Sequence, residues 1–124
     1  MESPETKALH DLSVRIINIP KKFKTANASI HSLLKYSGYF ETHDLVTAEA
    51  IREALLEHPD YVDDWIQYSE DKRCSSGWFF RQKGPGYEVG FFSSKDGYSQ
   101  STMYSDRLEA CAAFIKKEME EIRD

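Results

Sequence analysis

Trp78-Phe-Phe-Arg-Gln82, Tyr87-Glu-Val-Gly-Phe-Phe-Ser93 and Tyr98-Ser-Gln-Ser-Thr-Met-Tyr104 are three runs of aromatic and β-branched residues, separated by Lys83-Gly-Pro-Gly86 and by a break that ends in Lys95-Asp-Gly97. Their period is 2 rather than 3.6, so they read as strands. Glycine and proline in the breaks suit tight hairpin connections, which makes the three an antiparallel meander. A three-stranded sheet needs a cover. Asp106 and Glu109 match the D-x-x-E capping pattern, and Leu108, Cys111, Ala112, Ile115, Met119 and Ile122 follow as an apolar stripe. A C-terminal helix packed on one sheet face is the expectation.

Upstream of about residue 74 the texture is helical. Asn27 to Gly38 places Ile30, Leu33 and Leu34 at helical spacing, with Gly38 positioned to end the last turn. Thr47 is a candidate N-cap for a helix that puts Ile51, Ala54, Leu55 and His58 on one face. Pro59 suits the first position of the next, which gathers Val62, Trp65, Ile66 and Ser69 on one face as far as about Asp71. Leu12 to Ile19 reads equally as a short strand or a helical turn, closed by Pro20, and residues 1–25 are expected to begin extended or weakly ordered. The fold class is α+β, with N-terminal helices, the meander and the closing helix in one domain spanning 1–124. Trp65, Trp78 and Phe114 or Ile115 are expected to share its core.

A chain of 124 residues with 40% hydrophobic and 13% aromatic content can bury a real core without a staple. Cys74 and Cys111 stand far apart and outside any C-x-x-C spacing, which suits reduced thiols in a cytoplasmic protein better than a zinc site or disulfide. The start is polar where a signal peptide is apolar, and nothing approaches the length of a membrane span. Net charge is −5 and unevenly spread: residues 41–73 hold ten acids against three Lys/Arg, while residues 1–40 hold three acids against six. Nucleic-acid binders draw most of their affinity from cations facing phosphates, and here the dominant charged segment has the opposite sign. Basic protein partners are the ones it attracts.

Sites for chemistry are sparse. Gly84-Pro85-Gly86 lies between strands and contains a residue without an N–H, so it reads as a turn rather than a phosphate cradle. Ser75 and Ser76 have no nucleophile-elbow context. His10, His31, His43 and His58 never adopt ligand spacing, so no metal or cofactor is expected, and Cys111 on an apolar stripe reads as a buried structural thiol. The acidic pattern resists a bland account better. Glu49, Glu53 and Glu57 recur at i, i+4 and i+8 opposite Ile51 and Leu55, and Asp60, Asp64, Gln67 and Asp71 run opposite Val62 and Ile66. Like charges at i, i+4 cost about 0.2–0.5 kcal/mol per pair, and the stripes read either as a solvated face that confers solubility or as a surface that docks on a basic partner. Tyr61 and Tyr68 flank the second stripe as candidate aromatic anchors, unless they pack inward.

The run from Trp65 through Ser76-Gly77-Trp78-Phe79-Phe80, Tyr87-Glu-Val-Gly-Phe-Phe92, Gly97-Tyr98-Ser99 and Glu109-Ala-Cys-Ala-Ala-Phe-Ile115 resembles the small immunity proteins of bacterial polymorphic-toxin and contact-dependent growth-inhibition systems. The resemblance spans about residues 61–122 and rests on aromatic pattern and helix ending. It implies a cytoplasmic, non-enzymatic protein that binds a cognate toxin domain, often a nuclease, and blocks its basic active surface. Two other classes stay open: an adaptor domain with no toxin partner, and a small enzyme using a His43/Asp44 site. The sequence leaves the oligomeric state undetermined.

Overall fold

The computed structural model describes residues 4–25, 29–71 and 76–123. In chain order these form α1 (Pro4–Ile17), α2 (Ile19–Thr25), α3 (Ile30–Ser37), α4 (Tyr39–Thr42), α5 (Ala48–Glu57), α6 (Tyr61–Asp71), β1 (Ser76–Lys83), β2 (Gly86–Ser93), β3 (Gly97–Tyr104) and α7 (Arg107–Arg123). The architecture is α+β: N-terminal helices, an antiparallel sheet in the order β1-β2-β3, and a C-terminal helix packed on it. Asn27, Cys74 and Ser75, to which the sequence assigns a helix start, a thiol and a hydroxyl, lie outside the described residues.

Local signals set most boundaries. Ser29 accepts the Ser32 N–H through its side chain, and Gly38 takes φ 94° to end α3. Thr47 caps α5 by accepting the Ala50 N–H at 3.1 Å. Asp106 Oδ1 accepts the Leu108 N–H at 3.0 Å and so starts α7. In the first hairpin Lys83 pairs with Gly86, and Gly84 takes the positive φ of 60° that its two-residue turn requires. The second turn is longer. Ser93 Oγ accepts the Lys95 N–H at 3.2 Å, and Gly97 closes it at φ 78°.

Three differences from the sequence expectation have physical reasons. Residues 4–25 are two helices rather than an extended start, because Leu12, Ile16, Ile17 and Ile19 are buried and α1 packs along α5. Pro20 therefore ends α1 and also sits in the first turn of α2, where a missing N–H costs nothing. Pro59 falls in the turn before α6, since three residues, His58 to Asp60, carry the chain from the end of α5 to the start of α6. And α7 does more than cap the sheet: α5 packs against it as well, so Ala110, Cys111, Ala112, Phe114, Ile115, Glu118 and Met119 are all buried. It is the central helix of the fold. Burial pushes the Cys111 thiol well up, leaving it inert as expected of a core cysteine.

Adjacent residues of a strand point to opposite faces. Phe80 and Val89 are buried beneath α7, whereas Phe79, Arg81, Glu88, Phe92, Tyr98 and Met103 share the open face. Trp78 lies on the helix side, half-buried, with the Lys117 ammonium 4.6 Å from its ring centre. A bulge places Gln100 (φ 51°) and Ser101 opposite the single residue Gly90. The Phe79 ring rests on Gly90, and a Cβ there would meet Phe79 Cζ at 2.8 Å and Ser101 Cα at 3.2 Å. Gly90→Ala is thus expected to cost about 1–2 kcal/mol, low in the overpacking range because the ring can tilt into solvent. A urea melt checks it, and a variant as stable as wild type would mean the ring does not lie over the strand.

Candidate functional site

The acidic surface follows from what the two helices bury. Ile51, Ala54 and Leu55 of α5 are in the core, so Glu49, Glu53 and Glu57 are left exposed on the far side. Val62 and Trp65 do the same for α6, exposing Asp60, Asp63, Gln67, Glu70 and Asp71. The stripes start from a common corner, Glu57-His58-Pro59-Asp60, where the chain passes from one helix to the other.

The members of the stripes are not equivalent. Glu57 meets His10 Nε2 at 2.5 Å, and Asp71 accepts a hydrogen bond from Gln67 Nε2 at 2.9 Å. Asp64 is half-buried and ion-paired with Lys21 Nζ at 2.9 Å, so it holds α2 to α6 rather than standing free for a partner. The tyrosines divide as well. Tyr68 packs edge-on to Trp65 and donates its hydroxyl to Glu118 at 2.8 Å, tying it into the fold. Tyr61 stacks on His58 at 4.7 Å and carries Lys21 above its ring at 5.0 Å, which leaves it half-exposed and rigid beside Asp60.

His43 is engaged by groups of α4 and α7. His43 faces Glu120 Oε1 at 3.8 Å and the Tyr39 ring, and its carbonyl accepts the Lys116 ammonium at 2.6 Å. Tyr39 is fully buried, donates to Glu120 at 2.9 Å and accepts from Lys116 at 2.8 Å. Burial, then the hydrogen bond to Glu120, pushes the phenol far up, and burial pushes Lys116 down. Burial opposes the charge on Glu120, but hydrogen bonds from Arg123 and Tyr39 outweigh it and hold that carboxyl low. These groups pin α4 to α7. Among the described residues no group of three His, Cys, Asp or Glu is placed to hold a metal, and no helix is long and apolar enough to cross a membrane.

The sequence offers the exposed sheet face only as a second place for recognition and singles out no residue on it. Phe79 and Phe92 both lie against Tyr98, at 5.3 and 5.1 Å, and the Arg81 guanidinium sits 5.0 Å from Phe79 and 4.9 Å from Tyr98. Adjacent aromatics in Phe79-Phe80 and Phe91-Phe92 were the available signal, since one of each pair must point away from the helix. No protein-family model, curated protein or solved structure matches this chain.

Proposed function

We propose that this chain is a binding protein whose exposed acidic stripes on α5 and α6 dock on the basic surface of a protein partner. The observation that carries this is the run of exposed carboxylates at Glu49, Glu53, Glu57, Asp60 and Asp71, held on two consecutive helices whose opposite faces are core. Such spacing works against the helices and favours a basic surface brought against it. Tyr61, stiffened by His58, adds an aromatic contact next to Asp60. A nuclease active surface is basic because it holds phosphates, and the resemblance to toxin-neutralising immunity proteins makes a nuclease toxin the partner of choice. Covering that surface would exclude the nucleic acid.

The test asks whether a toxin gene adjoins the gene for this chain and, where one does, measures that toxin domain's cleavage of plasmid DNA. Stoichiometric wild-type chain should abolish cleavage, and the association rate should fall steeply as salt rises. Asp64 is left intact in the variant because Lys21 holds it. Glu53→Gln, Asp60→Asn and Asp71→Asn together should keep the fold and weaken calorimetric affinity at least tenfold, about 1.4 kcal/mol. A toxin left active by the wild-type chain would overturn the toxin assignment. Unchanged affinity with salt-insensitive association would move recognition off the stripes.

A further inference from the structure

We propose that β3, the free edge of the sheet, pairs antiparallel with β3 of a second copy of this chain across a two-fold axis normal to the sheet. The two sheet edges differ sharply. Along β1 runs α6, and the Phe80 N–H, which points off that edge, is already bonded to Ser69 Oγ at 2.8 Å. Among the described residues no helix is laid along β3, α7 packs chiefly on β1 and β2 and less on β3, and every residue from Tyr98 to Met103 is exposed. Edge strands are ordinarily guarded by lysine, proline, an inward charge or a cover. Here the bulge at Gln100 and Ser101 is the guard, and it leaves Thr102 to Tyr104 regular beyond it.

Charge identifies the occupant as a second copy. Of all residues, 30% are charged, yet none from Gly97 to Ser105 is. Residues near a two-fold axis face their own copies, so any charge there would meet its like, and a neutral strand is what self-pairing demands. The axis also keeps both open faces on one side. Met103 (53% exposed) and Tyr98 (61%) would then extend a single apolar surface with Phe79 and Phe92 instead of ending it at the edge. One paired strand is a small interface, so the dimer should be weak, forming at micromolar concentration or above. Each copy carries −5, so raising salt should strengthen self-association, the opposite of its effect on docking to a basic partner.

Sedimentation equilibrium of the full chain from micromolar to millimolar concentration tests this. Dimer should appear in the wild type and grow with salt, while Thr102→Lys, and independently Met103→Lys, should weaken it at least tenfold with thermal melting unchanged. Amide exchange in Thr102–Tyr104 of the wild type should slow as concentration rises, a readout that needs no variant. A chain that stays monomeric throughout, a dimer indifferent to both lysines, or concentration-independent exchange in β3 would each overturn the proposal.

Discussion

Truncating Trp65 to alanine is expected to cost on the order of 3–5 kcal/mol in urea unfolding, enough to leave the fold marginal at best. Trp65 is the largest fully buried side chain, edge-on to Phe114 at 6.2 Å and to Tyr68 at 5.4 Å. Its indole N–H also donates to the Ile17 carbonyl at 3.0 Å, so the residue joins α6 to the end of α1 as well as to α7. Truncation opens a cavity and orphans a buried acceptor together. Trp65→Phe restores much of the volume but not the donor, and should recover only part of the loss. Trp78→Ala should cost clearly less, because that ring is half-buried and its face is shared with the Lys117 ammonium. Equal losses at Trp65 and Trp78, or losses near zero at both, would contradict the placement of α7 between sheet and helices.

How much of this was legible in the sequence depends on how local each cause is. Thr47, Asp106 and Gly38 act within three or four residues, and their spacing announces the helix ends they make. The hairpins were equally plain, since alternation and turn glycines are local too. The helices of the first 25 residues were not, because Leu12, Ile16 and Ile17 are one short run whose conformation is decided by packing on α5. The acidic stripes were visible as periodicity, but that Lys21 removes Asp64 from the free surface depends on a pair 43 positions apart. Tyr39 with Lys116 and Glu120 lies beyond any motif for the same reason, its partners being 77 and 81 positions away. What the sequence hides most completely is which edge of the sheet is covered, since that depends on where α6 and α7 come to lie rather than on the strand itself.

Replacing Glu88 by alanine is expected to destabilise the fold by about 2–3 kcal/mol at neutral pH, and by much less in acid. Glu88 is only 4% exposed although it lies on the open sheet face. Its cover is a single layer of side chains, with Arg81 at 2.7 Å, the Ser101 hydroxyl bonded to it and Lys83 at 3.8 Å. That thin cover places the cost toward the low end for a buried pair. The hydrogen bond from Ser101, resisted by burial and reinforced by Arg81 and Lys83, holds the carboxyl below its ordinary range. A carboxyl whose folded pKa is depressed contributes stability that is complete above its unfolded value, about 4.3, and is lost as pH falls through the folded value. The wild-type advantage over Glu88→Ala should accordingly be flat from pH 7 to about 5 and shrink below that. Glu88→Gln, which keeps the size but not the charge, should approach wild type in acid while trailing it at neutrality. Because Glu88 also holds Arg81 against Phe79 and Tyr98, the neutral-pH loss should come with a looser open face, read as faster side-chain motion of Tyr98 by NMR. A stability difference independent of pH would show that Glu88 acts through its packing alone and that Arg81 finds its place without it.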